Sequence, residues 1–178
     1  MANEGAAAVA FVNQTLAICN ASGFKTASFF AILDNVSRDN TRELLENLAC
    51  EQPQLRVVWA PENRSVVDAY VRGYREALAA EADWILEIDA GFSHQPADIP
   101  HFFKAMAQGY DCVFATRFAH GGSIGETSPR RHIVSRGGTL ITNLLLGTKL
   151  TDMTSGFELF SRPVLQQVLD KGIRSRGP

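Results

Sequence analysis

Short apolar runs alternate along the whole chain with segments that have helical spacing. The runs have the length of buried strands, and they are SFFAIL (28–33), RVVWA (56–60), WILEID (84–89), DCVFATR (111–117) and FELFS (157–161). Between them, apolar residues recur every three or four positions, which predicts helices at 4–20, from 40, at 65–82, at 97–108, at 131–146 and from 163. This alternation predicts an α/β fold, a Rossmann-like three-layer arrangement with a mostly parallel central sheet flanked by helices.

Two helix starts have a recognisable capping pattern. Asn40 with Glu43, and Ser65 with Asp68, stand three residues apart as in a capping box. Pro163 has the place of a first-turn proline. We therefore expect the side chains of Asn40 and Ser65 to cap their helices.

Composition indicates a folded domain and argues against a nucleic-acid partner. The 178 residues are 46% hydrophobic and 20% charged, which fits a single domain over 1–178. Seventeen Lys and Arg nearly balance 19 Asp and Glu, so the chain lacks the broad basic field that binds nucleic acid.

The cysteines and the apolar runs bear on the compartment. Cys19, Cys50 and Cys112 are far apart and form no metal or redox spacing, so we expect buried thiols in a reducing compartment. The sequence contains neither an apolar run long enough to span a membrane nor a secretory signal. This favours a cytoplasmic location. The chain opens with a helix and closes with the loop-like GIRSRGP, and we expect that a first strand and a C-terminal part are lacking.

Two acids follow predicted strands. Ligands of open parallel sheets bind at the carboxyl ends of the strands, where Asp34 and Asp89 fall. A single Asp there can equally cap the next helix, but two in the same register favour a site. GxGxxG and GxxxxGK[ST] loops are absent, which argues against dinucleotide oxidoreductases and P-loop ATPases. The Gly-rich stretch 118–129 has the length of a functional loop.

Five ordered motifs resemble the family 2 glycosyltransferases of the dolichol-phosphate mannose synthase type. They are LDNVSRDNT (33–41), IDAGFSHQPADIP (88–100), ATRF (115–118), RRHIVSRGG (130–138) and DMTSGFELFSR (152–162). MANEG at the start resembles the tail of that family's PxxNE segment. The resemblance implies a GT-A fold and transfer of a sugar, with inversion, from GDP-mannose or a UDP-sugar. The expected acceptor is a polyprenyl phosphate or a saccharide, with peripheral contact at the cytoplasmic face of a membrane.

The resemblance also implies a donor site. Asn3 and Glu4 match the segment that holds the nucleotide, Asp34 matches the acid that contacts the base, and Asp89 matches the first acid of a DxD-like motif. That motif reads Asp89, Ala90, Gly91 here, so the second carboxylate is replaced by glycine. A divalent ion, Mg²⁺ or Mn²⁺, would then rest on Asp89.

One histidine and three acceptor-side residues complete the expected site. His94 is a further candidate metal ligand, although a histidine beside a helix start is more often a capping or packing residue. Arg117, Arg131 and Ser135 match positions that hold the acceptor's phosphate in this family. An acceptor phosphate is already an anionic nucleophile, so it needs positioning more than a general base.

Two other functions remain open on the sequence. The missing second carboxylate favours a nucleotide-sugar-binding domain without catalysis. A nucleotidyltransferase would share the layered architecture, but the chain lacks a GxGxR-type loop near its N-terminus.

Overall fold

A computed structural model describes residues 1–116, 129–152 and 155–173, with the backbone alone at 129–136 and 146. Its helices are α1 (Ala8–Ala21), α2 (Thr41–Glu51), α3 (Val66–Ala79), α4 (Ile99–Ala107), α5 (Pro129–Leu146) and α6 (Arg162–Lys171), with a 3₁₀ turn at Pro96–Asp98 before α4. Its strands are β1 (Phe29–Leu33), β2 (Leu55–Trp59), β3 (Trp84–Ile88), β4 (Cys112–Phe114) and β5 (Phe157–Ser161). Helices and strands alternate as the apolar pattern predicts, and the α/β class is confirmed.

The strands form one parallel pair and one antiparallel group. β1 and β2 run parallel, with Phe29 opposite Leu55. β5 lies between β3 and β4 and runs antiparallel to both, with Ile88 opposite Phe157 and Cys112 opposite Phe160.

The expectation of a mostly parallel sheet therefore needs correction where β5 enters. Three of the five residues of β5 are Phe157, Leu159 and Phe160, all buried. An apolar run of this kind reads the same in either direction, so the pattern contains no information about strand orientation. The orientation matters for the site. Because Phe157 pairs with Ile88, it brings Gly156 next to Asp89.

The capping predictions were half right. Ser65 accepts a hydrogen bond from the backbone N–H of Asp68 at 3.2 Å, as expected. The side chain of Asn40 makes no capping bond. Instead Asp39 accepts from both the backbone N–H and the hydroxyl of Thr41, at 3.2 and 2.6 Å. An Asp that bonds the backbone two residues ahead forms a local turn, and here that turn replaces the cap.

Two clusters of the apolar core hold the carboxyl ends of β1 and β3 in place. Val12 and Leu16 of α1 pack with Leu33 of β1 and Leu45 of α2. A second cluster packs Ile99 and Phe102 of α4 against Phe157 and Leu159 of β5, the strand that pairs with β3. Both strand ends are thereby anchored to helices.

Cysteine burial differs from the expectation at one position. Cys19 and Cys112 are partly buried, whereas Cys50 is exposed on α2, where its thiol donates to the carbonyl of Glu46. The expectation of three buried thiols is wrong for Cys50, because it faces away from the apolar side of α2. In the part of the chain that is described, no helix has the length and hydropathy needed to cross a membrane.

Candidate functional site

Asp89 stands at the carboxyl end of β3, where the sequence places it. One carboxylate oxygen, Oδ1, accepts a hydrogen bond from the hydroxyl of Tyr70 on α3 at 2.7 Å. The other, Oδ2, lies 3.8 Å from Nδ1 of His94, and the side chain of Asp89 is 42% exposed. Asp89 is therefore held from inside the fold and remains accessible from solvent.

Gly156, the residue immediately before β5, lies against this carboxylate. A Cβ added to Gly156 would lie 2.7 Å from Oδ2 of Asp89 and 2.8 Å from the Tyr70 hydroxyl oxygen. Side-chain atoms are not tolerated at such distances, so a residue larger than glycine would have to displace one of the two groups. The antiparallel pairing of Ile88 with Phe157 creates this contact.

Asp34 follows β1 in the corresponding place. Its Oδ1 accepts from the backbone N–H of Val36 at 2.9 Å, which closes a turn immediately after the strand. Asp34 is partly buried. The local turn is the alternative that the sequence left open for an acid in this place.

Asn3 and Glu4 lie beside the loop that follows β1. The side-chain oxygen of Asn3 accepts from the backbone N–H of Arg38 at 2.9 Å. The backbone N–H of Glu4 donates to the hydroxyl of Thr41 at 2.8 Å. The N-terminal segment and the Asp34 loop are thus hydrogen-bonded into one unit.

Asp39 is the centre of that unit, and sequence reasoning missed it. It accepts from the backbone N–H of Gly5 at 2.8 Å in addition to both groups of Thr41. These bonds, the Thr41 hydroxyl first and the Gly5 amide next, lower the pKa of Asp39 to about 2. An Asp two residues before a Thr in RDNT is the local signal that would have found this turn.

The three predicted donor-site acids converge on one region. Burial lowers the pKa of the Met1 amino group, and the negative charges of Asp34, Glu4 and Asp89 oppose that shift. The same amino group donates to the carbonyl of Ile32 on β1 at 2.6 Å. The segment of Glu4 also joins the two strand ends, since it is hydrogen-bonded to Thr41 after the Asp34 loop and lies against Gly91 after Asp89.

Glu4 lies in the space beside Gly91. Gly91 has a positive φ of 78°, and a Cβ there would lie 2.8 Å from both Cδ and Oε1 of Glu4. Non-bonded atoms do not approach this closely, so the Glu4 carboxylate occupies the space into which a side chain at position 91 would extend, next to Ala90 and Asp89.

The residues present could hold a metal ion only together with substrate phosphates and water. Across 1–116, 129–152 and 155–173, no group of three or more His, Cys, Asp and Glu side chains could hold a metal. His94 packs on Phe157, with ring centroids 5.2 Å apart, and its side chain is 16% exposed. Mg²⁺ is commonly bound by one or two carboxylates together with substrate phosphates and water. Asp89 fits that mode, and a site made of protein ligands alone does not.

Two partly buried acids lie behind the site, and the sequence analysis did not single them out. Glu87 of β3 is directly opposite Glu158 of β5, and the hydroxyl of Tyr74 donates to Glu87. Burial raises the pKa of Glu87 to about 7 and, with the charge of Glu87 added, raises that of Glu158 to about 8. The available signal was an acid inside each of two apolar runs, WILEID and FELFS.

The acceptor-side residues are less well described. Arg117 lies outside the described residues. Arg131 and Ser135 lie on α5, one helical turn apart, where the structure describes the backbone alone. Their assignment to the acceptor phosphate stays a prediction.

Comparison with known proteins identifies the family of this chain. The family model "Glycosyl transferase family 2" matches residues 15–169. An undecaprenyl-phosphate mannosyltransferase of Micrococcus luteus is 30% identical over 146 residues, which are 82% of this chain and 60% of that protein. A polyprenol monophosphomannose synthase of Mycolicibacterium smegmatis is 26% identical over 147 residues, 82% of this chain and 56% of that protein. The chain thus spans somewhat more than half the length of these relatives. Because the family model covers most of its residues, the chain belongs to glycosyl transferase family 2.

Proposed function

We propose that the protein transfers mannose, with inversion, from a nucleoside diphosphate sugar to a polyprenyl phosphate. Family membership supports glycosyl transfer, and the names of two relatives, an undecaprenyl-phosphate mannosyltransferase and a polyprenol monophosphomannose synthase, support the sugar and the acceptor. The observation that carries the donor side is the position of Glu4: its carboxylate lies against Gly91, two residues after Asp89, and its segment is hydrogen-bonded to the loop that follows Asp34. Asp34 and Asp89 follow the carboxyl ends of their strands, where ligands of open α/β sheets bind.

On the donor side, each acid has a separate role. Asp34 and Asn3 contact the nucleoside, and Asp89 faces the diphosphate. A Mg²⁺ or Mn²⁺ ion held by Asp89 together with the diphosphate would neutralise the charge that develops on the leaving group. Glu4 lies beside Gly91 and supplies the carboxylate that this position lacks. The donor in this proposal is GDP-mannose, and a UDP-sugar, which would mean a different transferred sugar, is the alternative that the binding test distinguishes.

On the acceptor side, the reaction needs positioning of an anion. A polyprenyl phosphate oxygen attacks the anomeric carbon as the bond to the diphosphate breaks, so a base is not required to create the nucleophile. Arg117, Arg131 and Ser135 hold this phosphate in our proposal, because guanidinium groups bind phosphate oxygens in a fork geometry. Arg131 and Ser135 share one helix, which fixes their relative positions.

The decisive test replaces Asp89 by Asn in the full-length protein. Calorimetry with GDP, UDP, GDP-mannose and UDP-glucose, each with and without Mn²⁺, measures donor affinity. We expect Asp89→Asn to weaken the metal-dependent affinity by more than about tenfold, because a charged contact to the ligand is lost. The matched control is Asp98→Asn, an exposed Asp in the 3₁₀ turn before α4 with no capping bond of its side chain.

Each outcome has a clear meaning. Selective loss in Asp89→Asn, with mannosyl transfer by the wild type, supports the proposal. Unchanged affinity and transfer in Asp89→Asn would remove Asp89 from the donor site. Tight nucleotide-sugar binding by the wild type without transfer to undecaprenyl phosphate would favour the non-catalytic alternative.

The acceptor requires access to a membrane, and α5 offers a surface for it. Leu140, Ile141, Leu144 and Leu145 are 71%, 60%, 83% and 77% exposed. Their spacing places them on one face of α5, the helix to which Arg131 and Ser135 also belong. We propose that this apolar face contacts the membrane that contains the lipid acceptor, since exposed apolar helix faces mark interaction sites.

Sedimentation with phosphatidylglycerol vesicles tests this contact in the full-length protein. We expect Leu144→Asn/Leu145→Asn to lower the bound fraction by on the order of tenfold, since apolar area is lost from the membrane-facing side. Val66→Asn/Val168→Asn changes two exposed apolar residues elsewhere and should bind like the wild type. Equal sedimentation of both double variants, or no sedimentation of the wild type, would exclude this face as the contact.

A further inference from the structure

Tyr70 and Asp89 form a direct pair across two elements. The Tyr70 hydroxyl, on α3, donates to Oδ1 of Asp89 at 2.7 Å. Burial first, and then the hydrogen bond and charge of Asp89, raise the pKa of Tyr70 above its ordinary value. The phenol therefore keeps its proton at physiological pH and acts only as a donor toward the carboxylate.

The pair is enclosed on a further side by Gly156. The absent Cβ of that residue would lie within 3.0 Å of Cγ and Oδ2 of Asp89 and within 2.8 Å of the Tyr70 oxygen. The backbone at Gly156 and the phenol of Tyr70 thus bracket the carboxylate. Rotation of the Asp89 side chain would break the hydrogen bond or bring it against the chain at Gly156.

We propose that Tyr70 is a positioning residue: it fixes the orientation of the Asp89 carboxylate, which binds a nucleoside diphosphate and its divalent cation. This inference rests on the proposed function, which gives Asp89 its ligand. A hydrogen-bonding partner behind a ligand-binding carboxylate limits its orientations before the ligand arrives. Tyr70 itself does not contact the ligand in this arrangement.

The chain contains a matched control on the same helix. Tyr74 lies one turn after Tyr70 and is buried, whereas Tyr70 is partly buried. The hydroxyl of Tyr74 also donates to a carboxylate of β3, that of Glu87. Glu87 lies within the sheet and has no assigned ligand. Removing each hydroxyl in turn thus deletes the same atom from the same helix, once beside the proposed site and once behind it.

The test measures the Kd of GDP and UDP with Mn²⁺ for Tyr70→Phe and Tyr74→Phe in the full-length protein. We expect Tyr70→Phe to bind the responding nucleotide roughly 10- to 100-fold more weakly, as is typical when a supporting partner of a ligand-binding side chain is lost. Tyr74→Phe should keep the wild-type Kd. Urea unfolding of both variants measures the stability change separately, and equal weakening of binding in the two variants would overturn the inference.

A double-mutant cycle shows whether Tyr70 acts through Asp89. If it does, Tyr70→Phe/Asp89→Asn binds no more weakly than Asp89→Asn alone, whereas fully additive losses contradict positioning. A wild-type Kd in Asp89→Asn would remove Asp89 from the proposed donor site. Weak binding in Asp89→Asn with a wild-type Kd in Tyr70→Phe would overturn only the role of Tyr70.

Gly156→Ala provides a second perturbation if Tyr70→Phe does not fold. It keeps the Tyr70 hydroxyl but introduces a methyl group against Oδ2 of Asp89. We expect it to weaken Mn²⁺-dependent nucleotide binding at least about tenfold, because the carboxylate has to turn away. A wild-type Kd in this variant would mean that the orientation of Asp89 does not limit binding.

Discussion

At the scale of single residues, Gly91 is constrained twice. Its φ of 78° is in the region that favours glycine, and the Glu4 carboxylate lies where its side chain would begin. We expect Gly91→Ala to lower the free energy of unfolding by roughly 2 kcal/mol or more, since steric contact adds to a left-handed backbone cost of about 1–2 kcal/mol. The measurement is the shift of the urea midpoint. Gly91→Asp, which restores the family's second acid, should destabilise at least as much.

The two contributions can be separated with Gly23. Gly23 has a φ of 80°, and a Cβ there would meet nothing within 4 Å. Gly23→Ala therefore reports the backbone cost alone, and the excess in Gly91→Ala reports the contact with Glu4. Glu4→Ala/Gly91→Ala should recover that excess. If Gly91→Ala and Gly23→Ala cost the same, Glu4 does not occupy the space beside Gly91.

Single residues also show which features of the site can be predicted from the sequence. The apolar pattern placed Asp34 and Asp89 directly after their strands, because the end of a strand is visible in the chain itself. The contact of Glu4 with Gly91 joins residues 87 positions apart and has no local signal. Likewise, the contact of Tyr70 with Asp89 arises because helix α3 passes over β3. Only tertiary packing decides this arrangement.

At the scale of elements, helices were predicted better than strand pairing. The predicted helix at 131–146 compares with Pro129–Leu146, and that at 97–108 compares with Ile99–Ala107 after its 3₁₀ turn. Periodicity identifies a helix from its own residues, and capping residues such as Ser65 fix its start. The bounds of FELFS were predicted without error, whereas its orientation was not.

The orientation of β5 has a direct consequence for the site. Since β5 runs antiparallel between β3 and β4, its first residue, Phe157, pairs with Ile88, and Gly156 reaches Asp89. A parallel β5 would bring Ser161 and the start of α6 to that edge instead. Strand order depends on how the connections cross the sheet, and a single sequence does not record this.

At the scale of the whole molecule, the proposed donor side assembles from segments that are distant in sequence. Residues 1–5, the loop after β1 and the end of β3 meet at one edge. Family 2 membership implies the Rossmann-like GT-A architecture. The fold class, the family and the two strand-end acids were therefore readable from sequence, while the packing behind Asp89 was not.

That packing has a measurable effect on global stability, because Glu87 and Glu158 lie opposite each other and are partly buried. An unfolded Glu ionises near its ordinary pKa of 4.5, whereas burial and Glu87 raise the pKa of folded Glu158 to about 8. Between these values the folded protein binds more protons than the unfolded chain. The free energy of unfolding must therefore fall as pH rises from about 4.5 to about 8, and the contribution is constant outside that window.

Replacing Glu158 by Gln removes the ionisation, so we expect Glu158→Gln to flatten this part of the pH profile. Relative to wild type it should gain about 1 kcal/mol at pH 8 compared with pH 5, less than the full pKa shift implies because solvent reaches part of the side chain. Urea unfolding without divalent cations at both pH values measures this, with Glu51→Gln, an exposed Glu at the end of α2, as the control. A difference between Glu158→Gln and wild type that is the same at pH 5 and pH 8 would mean that Glu158 is ionised throughout. The two acids would then have to share the sheet as charged neighbours, and the protonated pair behind Asp89 would be excluded.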